Sequence, residues 1–197
     1  SALRRRLAER AGLREPQVAF TVTHTHAAPC LTGAAPNILG RTFTPAERDG
    51  IDAYTRFFID RVEDVVLQAL KDRRPALLSW GQGRVGFAKN RRTPGGPVDH
   101  DLPILRVAAP DGSLRAVLAN YACHCTTLGG DLNATHGDWA GVAALDLEAS
   151  QPASVALVSI GCGADANPDP RGSIELVERH GRALASEVRR LLRLPLQ

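Results

Sequence analysis

The sequence has 197 residues, of which 44% are hydrophobic and 23% are charged, and its net charge is +3. This is the composition of a globular domain with a sizeable core, and no apolar run approaches the roughly 20 residues of a membrane-spanning helix. The positive charge forms no basic stripe with interleaved aromatic residues, so nucleic acid is not an expected partner.

The cysteine and methionine counts restrict the class of chain further. Four cysteines without a CxxC pair are too few for a disulfide-built scaffold of this length. The chain has no methionine, and its first residues lack the apolar stretch of a signal peptide. We therefore expect a single, partial domain over residues 1–197 that begins inside a longer gene product or after processing, and the compartment stays unknown.

Two helices and one strand are predicted in the first part of the chain. Apolar periodicity predicts a helix over residues 1–11 and a strand over residues 17–25. A loop rich in Pro, Gly and Ala follows, and Thr44 then starts a capping box that predicts a helix over residues 44–72. The apolar residues of this helix fall on one stripe, which consists of Ile51, Tyr54, Phe58, Val62, Val65 and Ala69.

Strands and helices interleave in the rest of the chain. Strands are predicted over residues 76–88, 102–109, 114–123 and 154–161, and helices over residues 138–149 and 173–194. The tetrapeptide PDGS between the second and third of these strands is typical of a hairpin. The interleaving predicts an α/β fold with a layered, mixed β-sheet core flanked by helices.

Polar residues collect directly after the predicted strands. The four clusters are residues 24–29, 89–92, 124–138 and 162–171. In open α/β sheets, ligands bind outside the carboxyl ends of the strands. The sequence therefore predicts that the four clusters contribute to one shared site.

Histidines dominate two of these clusters. His24 and His26 lie two apart in the segment TVTHTHAAP, so on a strand they would share one face and could share a zinc ion. The same pattern fits two surface or capping histidines. His124 lies between Cys123 and Cys125, which we expect to pack as small apolar side chains facing the other way.

The other candidate residues each allow two interpretations. Arg91 could hold an anionic or carbonyl oxygen, or it could be a solvated loop charge. Gly163 would let a ligand approach the backbone, and Asp165 and Asn167 would supply polar groups, but the same residues fit a tight turn after a strand. The HGDW segment at residues 136–139 could supply a ligand or a base, although a helix cap at Asp138 is favoured.

Two remaining histidines are not expected in the site. His180 falls at an inward position of the last predicted helix and is expected to be a satisfied core histidine. His100 lies in a polar loop without an evident partner. The separate parts that remain, which are imidazoles, an arginine and polar groups after strands, are those of a metal hydrolase.

The order of four motifs resembles the neutral/alkaline, non-lysosomal ceramidase family in its N-terminal catalytic domain. The motifs are THTHAAP, NRR, NYACHCTT and GCGADANP, which match the family's THTHSGP-like, NRS-like, NxxxHxTS-like and GDxSPN-like segments. They occur in the family's order at comparable spacing, and the resemblance covers about residues 1–190. It implies a zinc-dependent hydrolase that cleaves the N-acyl amide bond of ceramide-like lipids.

The resemblance also implies a role for individual residues. His24 and His124 correspond to zinc ligands, and His26 corresponds to a histidine beside the metal that contacts the substrate. Arg91 corresponds to an active-site arginine, and Asp165 to the aspartate of the GDxSPN segment. The family's other two zinc ligands, a Glu and a Tyr, are expected beyond the last residue of this chain, so the chain alone is expected to be inactive.

Asn167 stands where the family has a serine that is implicated in catalysis. The departure motivates two alternatives: a zinc amidase or esterase for a smaller substrate, and a non-catalytic member of the family. We expect Gly163 and Asn167 to line the substrate site in either enzymatic case. The family implies a lipid-like N-acyl partner and a secreted or membrane-surface location, and it leaves association of this chain with a membrane surface open.

Overall fold

The computed structural model describes three stretches of the chain, residues 2–34, 41–130 and 132–197. They form two compact units, the first from residues 1–20 and 29–74 and the second from residues 21–28 and 75–197. Whether the two units make up the single partial domain that the sequence predicts stays a prediction. Part of the loop predicted before Thr44 lies outside the described residues.

The first unit contains two helices, α1 (Ala2–Ala11) and α2 (Pro45–Lys71). Both predictions are confirmed, and α2 starts with the expected capping box, in which Thr44 and Glu47 exchange hydrogen bonds between side chain and backbone. The carboxylate of Glu63 is buried and pairs with Arg6 and Arg10 of α1. These ion pairs join the two helices.

The apolar stripe on α2 is only partly covered in the structure. The side chains of Phe58 and Val65 are 40% and 64% exposed. Among the described residues of α2, Glu63 is the one that is buried. Periodicity identifies the apolar face of a helix, but tertiary contacts decide whether that face is covered.

The strand expected over residues 17–25 is also absent from the described residues. The segment instead begins with the end of a short 3₁₀ helix, Glu15–Gln17, and continues as irregular chain. Alternating apolar residues favour an extended backbone, but a strand needs a neighbour to accept its ladder hydrogen bonds. His24 moreover has a φ of 55°, in the left-handed region that a strand does not use.

The second unit is built on a mixed sheet. Its elements are β1 (Leu77–Arg84), β2 (Ala88–Asn90), β3 (Asp101–Ala108), β4 (Leu114–Tyr121), α3 (Asp138–Ser150), β5 (Val155–Ile160), β6 (Ala166–Pro168) and α4 (Ile174–Leu192). The large sheet has the order β1-β3-β4-β5, with antiparallel pairs except for the parallel pair β4–β5. The short strands β2 and β6 pair separately. The predicted mixed α/β fold is confirmed.

Helices α3 and α4 pack together against one face of the large sheet. The core contains Ile104, Ala119 and Trp139, and on α4 it contains Leu184 and Val188. Strands β4 and β5 run in the same direction, so their carboxyl ends open into loops at one end of the sheet. These loops carry His124 and residues 161–165.

Tyr121 ties the end of β4 to the connection between β1 and β2. Its buried hydroxyl donates to the carbonyl of Val85 at 2.8 Å and accepts from the amide of Ala88 at 3.2 Å. Burial raises the pKa of this phenol well above its usual value, so the hydroxyl keeps the proton that it donates.

Replacing Tyr121 by phenylalanine should reduce the free energy of unfolding by about 1–3 kcal/mol, because two buried backbone groups lose their partner. Urea denaturation measures this difference. Tyr54→Phe is the matched control, since the Tyr54 ring contacts Phe57 and Phe58 and its substitution should change stability by less than about 0.5 kcal/mol. Equal stability of Tyr121→Phe and the unsubstituted protein would contradict the role of the hydroxyl.

Candidate metal centre

Three histidines converge in the second unit. The ring centroids of His24 and His26 lie 4.9 Å apart, those of His24 and His124 also 4.9 Å, and those of His26 and His124 5.9 Å. One nitrogen from each ring lies within 4.8 Å of the others. The structure therefore brings together the three histidines that the sequence singled out, from segments about 100 residues apart.

The ring of His124 is held by hydrogen bonds at Nδ1, which leaves Nε2 free to bind a metal ion. Its Nδ1 lies 2.6 Å from the carbonyl oxygen of Gly163 and 3.3 Å from that of Ala166. A carbonyl oxygen can only accept, so Nδ1 carries a proton and Nε2 of the neutral ring keeps its lone pair. A backbone carbonyl that fixes the tautomer in this way is typical of histidines that bind metals.

His24 and His26 reach the cluster through a turn rather than through strand alternation. The backbone at His24 lies in the left-handed region, and a bend follows at residues 26–28. The amide of His26 donates to the carbonyl of Cys125 at 3.4 Å, which places the turn beside His124. The prediction that the two histidines lie close together is thus met by a different backbone geometry.

The electrostatic surroundings favour neutral rings at the exposed pair. Partial burial lowers the pKa of His24, and the nearby His124 and Arg91 lower it further. Burial also lowers the pKa of His26, as do His24, His124 and Arg91, while Asp138 raises it. A neutral imidazole is the form that offers a lone pair to a metal ion.

Arg91 lies close enough to affect both exposed histidines and is anchored to the loop after β5. Its Nε and one terminal nitrogen donate to the carbonyl of Ala164 at 3.0 and 2.8 Å, and its amide donates to the carbonyl of Asp165 at 2.7 Å. The carboxylate of Asp165 accepts from the side chain of Asn90 at 3.2 Å. The structure thus places Arg91 and Asp165 side by side, as the order of the motifs suggested.

Gly163 permits a close approach of two backbone segments. A Cβ atom at this position would lie 2.5 Å from the amide nitrogen of Cys123, closer than real side chains allow. The absence of a side chain lets the Gly163 carbonyl reach His124. The structure shows this packing role, and contact of Gly163 with a substrate stays a prediction.

Asn167 lies in β6 opposite Lys89, and its Oδ1 accepts from the hydroxyl of Thr126 at 3.3 Å. Thr126 follows His124 by two residues, so the asparagine belongs to the surroundings of the cluster. Its contact with a substrate also stays a prediction.

The histidines that the sequence placed outside the site make other contacts. His180 is buried, stacks on Phe87 with ring centroids 4.6 Å apart, and has its Nε2 2.7 Å from the carbonyl of Pro170. The expected satisfied core histidine is therefore observed. Nδ1 of His100 lies 3.5 Å from the hydroxyl of Tyr121, a partner that the sequence did not suggest.

The expected cap at Asp138 takes a different form. The N-cap residue of α3 is Gly137, and Asp138 is the first helical residue, with a φ of 52°. Its buried carboxylate accepts from the amides of Leu128 and Trp139. Asp138 therefore fixes the loop before α3 as well as the start of the helix.

Two further residues of the site were missed by sequence reasoning. Thr25 donates its hydroxyl to the carbonyl of His136 at 2.7 Å, and the indole of Trp139 donates to the carbonyl of His124 at 2.8 Å. Every residue has a backbone carbonyl, so a hydrogen bond to one cannot be predicted from the type of the accepting residue. The one signal in the sequence is that Thr25 lies within the motif THTH and Trp139 within HGDW, each close to a histidine.

No family model matches the sequence, and no curated protein matches it. Two solved structures are similar, a ceramidase complexed with C2 and the neutral ceramidase from Pseudomonas aeruginosa. Both align with a TM-score of 0.77 at 17% sequence identity, covering 96% and 95% of this chain. The chain spans 33% of the length of each. At this identity the similarity establishes the fold, so the resemblance to neutral ceramidases is confirmed at that level.

Proposed function

We propose that this protein is a ceramidase-like hydrolase of N-acyl amides that uses a zinc ion. The observation that carries the proposal is the convergence of His24, His26 and His124 on a neutral-ceramidase fold. The proposal applies to the complete gene product, because the chain corresponds to 33% of the solved ceramidases.

The three imidazoles fit a zinc site by their chemistry. Zinc is bound by neutral imidazole nitrogens in proteins, and catalytic sites combine about three protein ligands with an open position. The lone pair of His124 is directed by its bond to Gly163, and the exposed side of the cluster leaves room for a substrate. A zinc ion held by His24 and His124 would supply a Lewis acid for amide hydrolysis.

The chain's own residues would bind and orient the amide. His26, the third imidazole, lies beside the pair and would donate to or accept from the substrate. Arg91 carries a positive charge next to the histidines and would stabilise negative charge that develops on the carbonyl oxygen. Asp165 would keep the loop of Arg91 in place through its backbone carbonyl and its bond to Asn90.

A lipid substrate is supported by the resemblance to ceramidases and not by the cluster itself. Among the described residues, no helix is both long enough and apolar enough to cross a bilayer. We propose that a lipid-like N-acyl substrate is taken from a membrane surface or from solution.

Asn167 favours a second candidate, a zinc amidase or esterase for a smaller substrate. The carboxamide replaces the small hydroxyl side chain of the family's serine and is engaged by Thr126. An asparagine at this position offers an amide in place of a hydroxyl.

Substrate preference of the zinc-loaded gene product distinguishes the two candidates. We expect hydrolysis of fluorescent long-chain N-acyl-sphingosine with a kcat/KM at least about tenfold above that for a short N-acyl amide with the same reporter, since an apolar chain adds uniform binding energy. Equal or reversed preference would favour the smaller substrate. No turnover of either, with zinc bound, would favour a non-catalytic protein.

A further inference from the structure

The short segment His136–Trp139 contacts both of the chain segments that carry the clustered histidines. The sequence offered this segment as a ligand, a base or a helix cap. In the structure it lies at the start of α3, where its backbone and its indole bond to residues next to His24, His26 and His124.

Two hydrogen bonds join this segment to the turn that carries His24 and His26, and a third lies within the turn. The hydroxyl of Thr25 donates to the carbonyl of His136 at 2.7 Å and accepts from the amide of Ala27 at 3.3 Å. The amide of His136 donates to the carbonyl of Ala27 at 2.8 Å. Thr25 therefore closes the turn on itself and anchors it at the same time.

The other end of the segment holds His124. The indole of Trp139 is fully buried and donates to the His124 carbonyl at 2.8 Å. Between the two ends, the amide of Asp138 donates to Nδ1 of His136 at 2.9 Å, and the Asp138 backbone occupies the left-handed region. A non-glycine residue in that region persists where its surroundings hold it there, which here are the two amides bound to its carboxylate.

We propose that residues 136–139 set the separation of the three imidazoles, and that Thr25 is the positioning residue through which they hold His24 and His26. The proposal rests on the proposed function in taking zinc as the ion that His24 and His124 bind. Zinc requires its nitrogen ligands at about 2.0–2.1 Å. If the turn that carries His24 can move relative to His124, the two imidazoles bind the ion more weakly.

Thr25→Val tests the proposal, because valine keeps the branched shape and removes the hydroxyl. We expect the dissociation constant for zinc, measured by competition with a chromophoric chelator, to rise about tenfold. We also expect the visible absorption of the cobalt-substituted protein to change, since it reports the ligand geometry. Thr25→Ser restores a hydroxyl and should restore both values.

Thr55→Val is the matched control. The Thr55 hydroxyl also donates to a backbone carbonyl at 2.7 Å, that of Ile51 within α2. The same hydroxyl accepts from the amide of Thr32 at 2.9 Å and from the hydroxyl of Thr32 at 3.2 Å, so its loss removes hydrogen bonds of the same kind within the first unit. The substitution should leave zinc affinity and the cobalt spectrum unchanged. A general loss of stability would affect both valine variants alike, and their thermal unfolding shows whether it does.

Amide hydrogen exchange tests the anchor without a metal. In the metal-free Thr25→Val protein, exchange at Ala27 and His136 should accelerate, because both amides take part in the hydrogen bonds of the anchor. Unchanged exchange, or zinc affinity and a cobalt spectrum equal to those of the unsubstituted protein, would overturn the proposal. Absence of zinc binding by the unsubstituted protein would instead overturn the proposed function.

Discussion

Replacing either His24 or His124 by alanine should abolish zinc binding by the protein. Each removes one of the two imidazoles assigned to the ion, and His124 is the ring whose tautomer is already fixed by Gly163. The loss of one ligand from such a site reduces affinity by several orders of magnitude, since each ligand bond contributes strongly. Zinc per chain, measured by mass spectrometry after dialysis, should fall from about one to near zero.

Two other histidine variants make this experiment specific. His100→Ala removes an imidazole whose described contact is with Tyr121, and it should retain zinc. His26→Ala should also retain most of the zinc but lower turnover by about 100-fold, because His26 is assigned to the substrate. Full zinc content in the double variant His24→Ala, His124→Ala would contradict the site. Loss of zinc in His26→Ala would make all three histidines ligands.

Gly163→Ala should destabilise the protein by at least about 2 kcal/mol. The new Cβ would meet backbone atoms of Ala122 and Cys123 at 2.5–2.9 Å, and backbone cannot move aside as a flexible side chain can. The displaced carbonyl of Gly163 would also release the His124 ring, so zinc affinity should fall by about tenfold. Chemical denaturation and zinc competition measure the two effects.

Gly86→Ala is the control for this substitution. A Cβ atom at Gly86 meets nothing within 4 Å, and its backbone is outside the left-handed region. The variant should be as stable as the unsubstituted protein or slightly more stable, because alanine restricts the unfolded chain. If Gly163→Ala behaves like Gly86→Ala, the close approach at residue 163 does not determine the position of His124.

Local sequence rules were sufficient where the determining interactions are local. The capping box at Thr44 and Glu47 involves residues three apart, so α2 starts where the sequence predicts. The same holds for the hairpin between β3 and β4 and for α4, whose inward face carries Val177, Leu184 and Val188. These elements, the mixed α/β class and the three histidines were all predicted from the sequence.

Contacts between distant segments decided what the sequence left open or predicted wrongly. Residues 17–25 have a strand pattern, but His24 turns into the left-handed region. The hydroxyl of Thr25 then donates to the carbonyl of His136, and the amide of His26 donates to that of Cys125. Asp138, expected to cap a helix, accepts from the amide of Leu128 in the preceding loop as well as from that of Trp139 at the helix start. A residue pattern records which side chains are present but not which distant carbonyl will accept from them.

The sequence by itself determined which side chains the candidate site can contain, since His24, His26, His124 and Arg91 were singled out by their identity and by their order in the motifs. The tertiary structure alone decided the distances, the tautomer of His124 and the part that Thr25 plays. Imidazole chemistry belongs to the residue type, whereas the separation of imidazoles about 100 residues apart depends on packed backbone and on hydrogen bonds formed only in the folded chain.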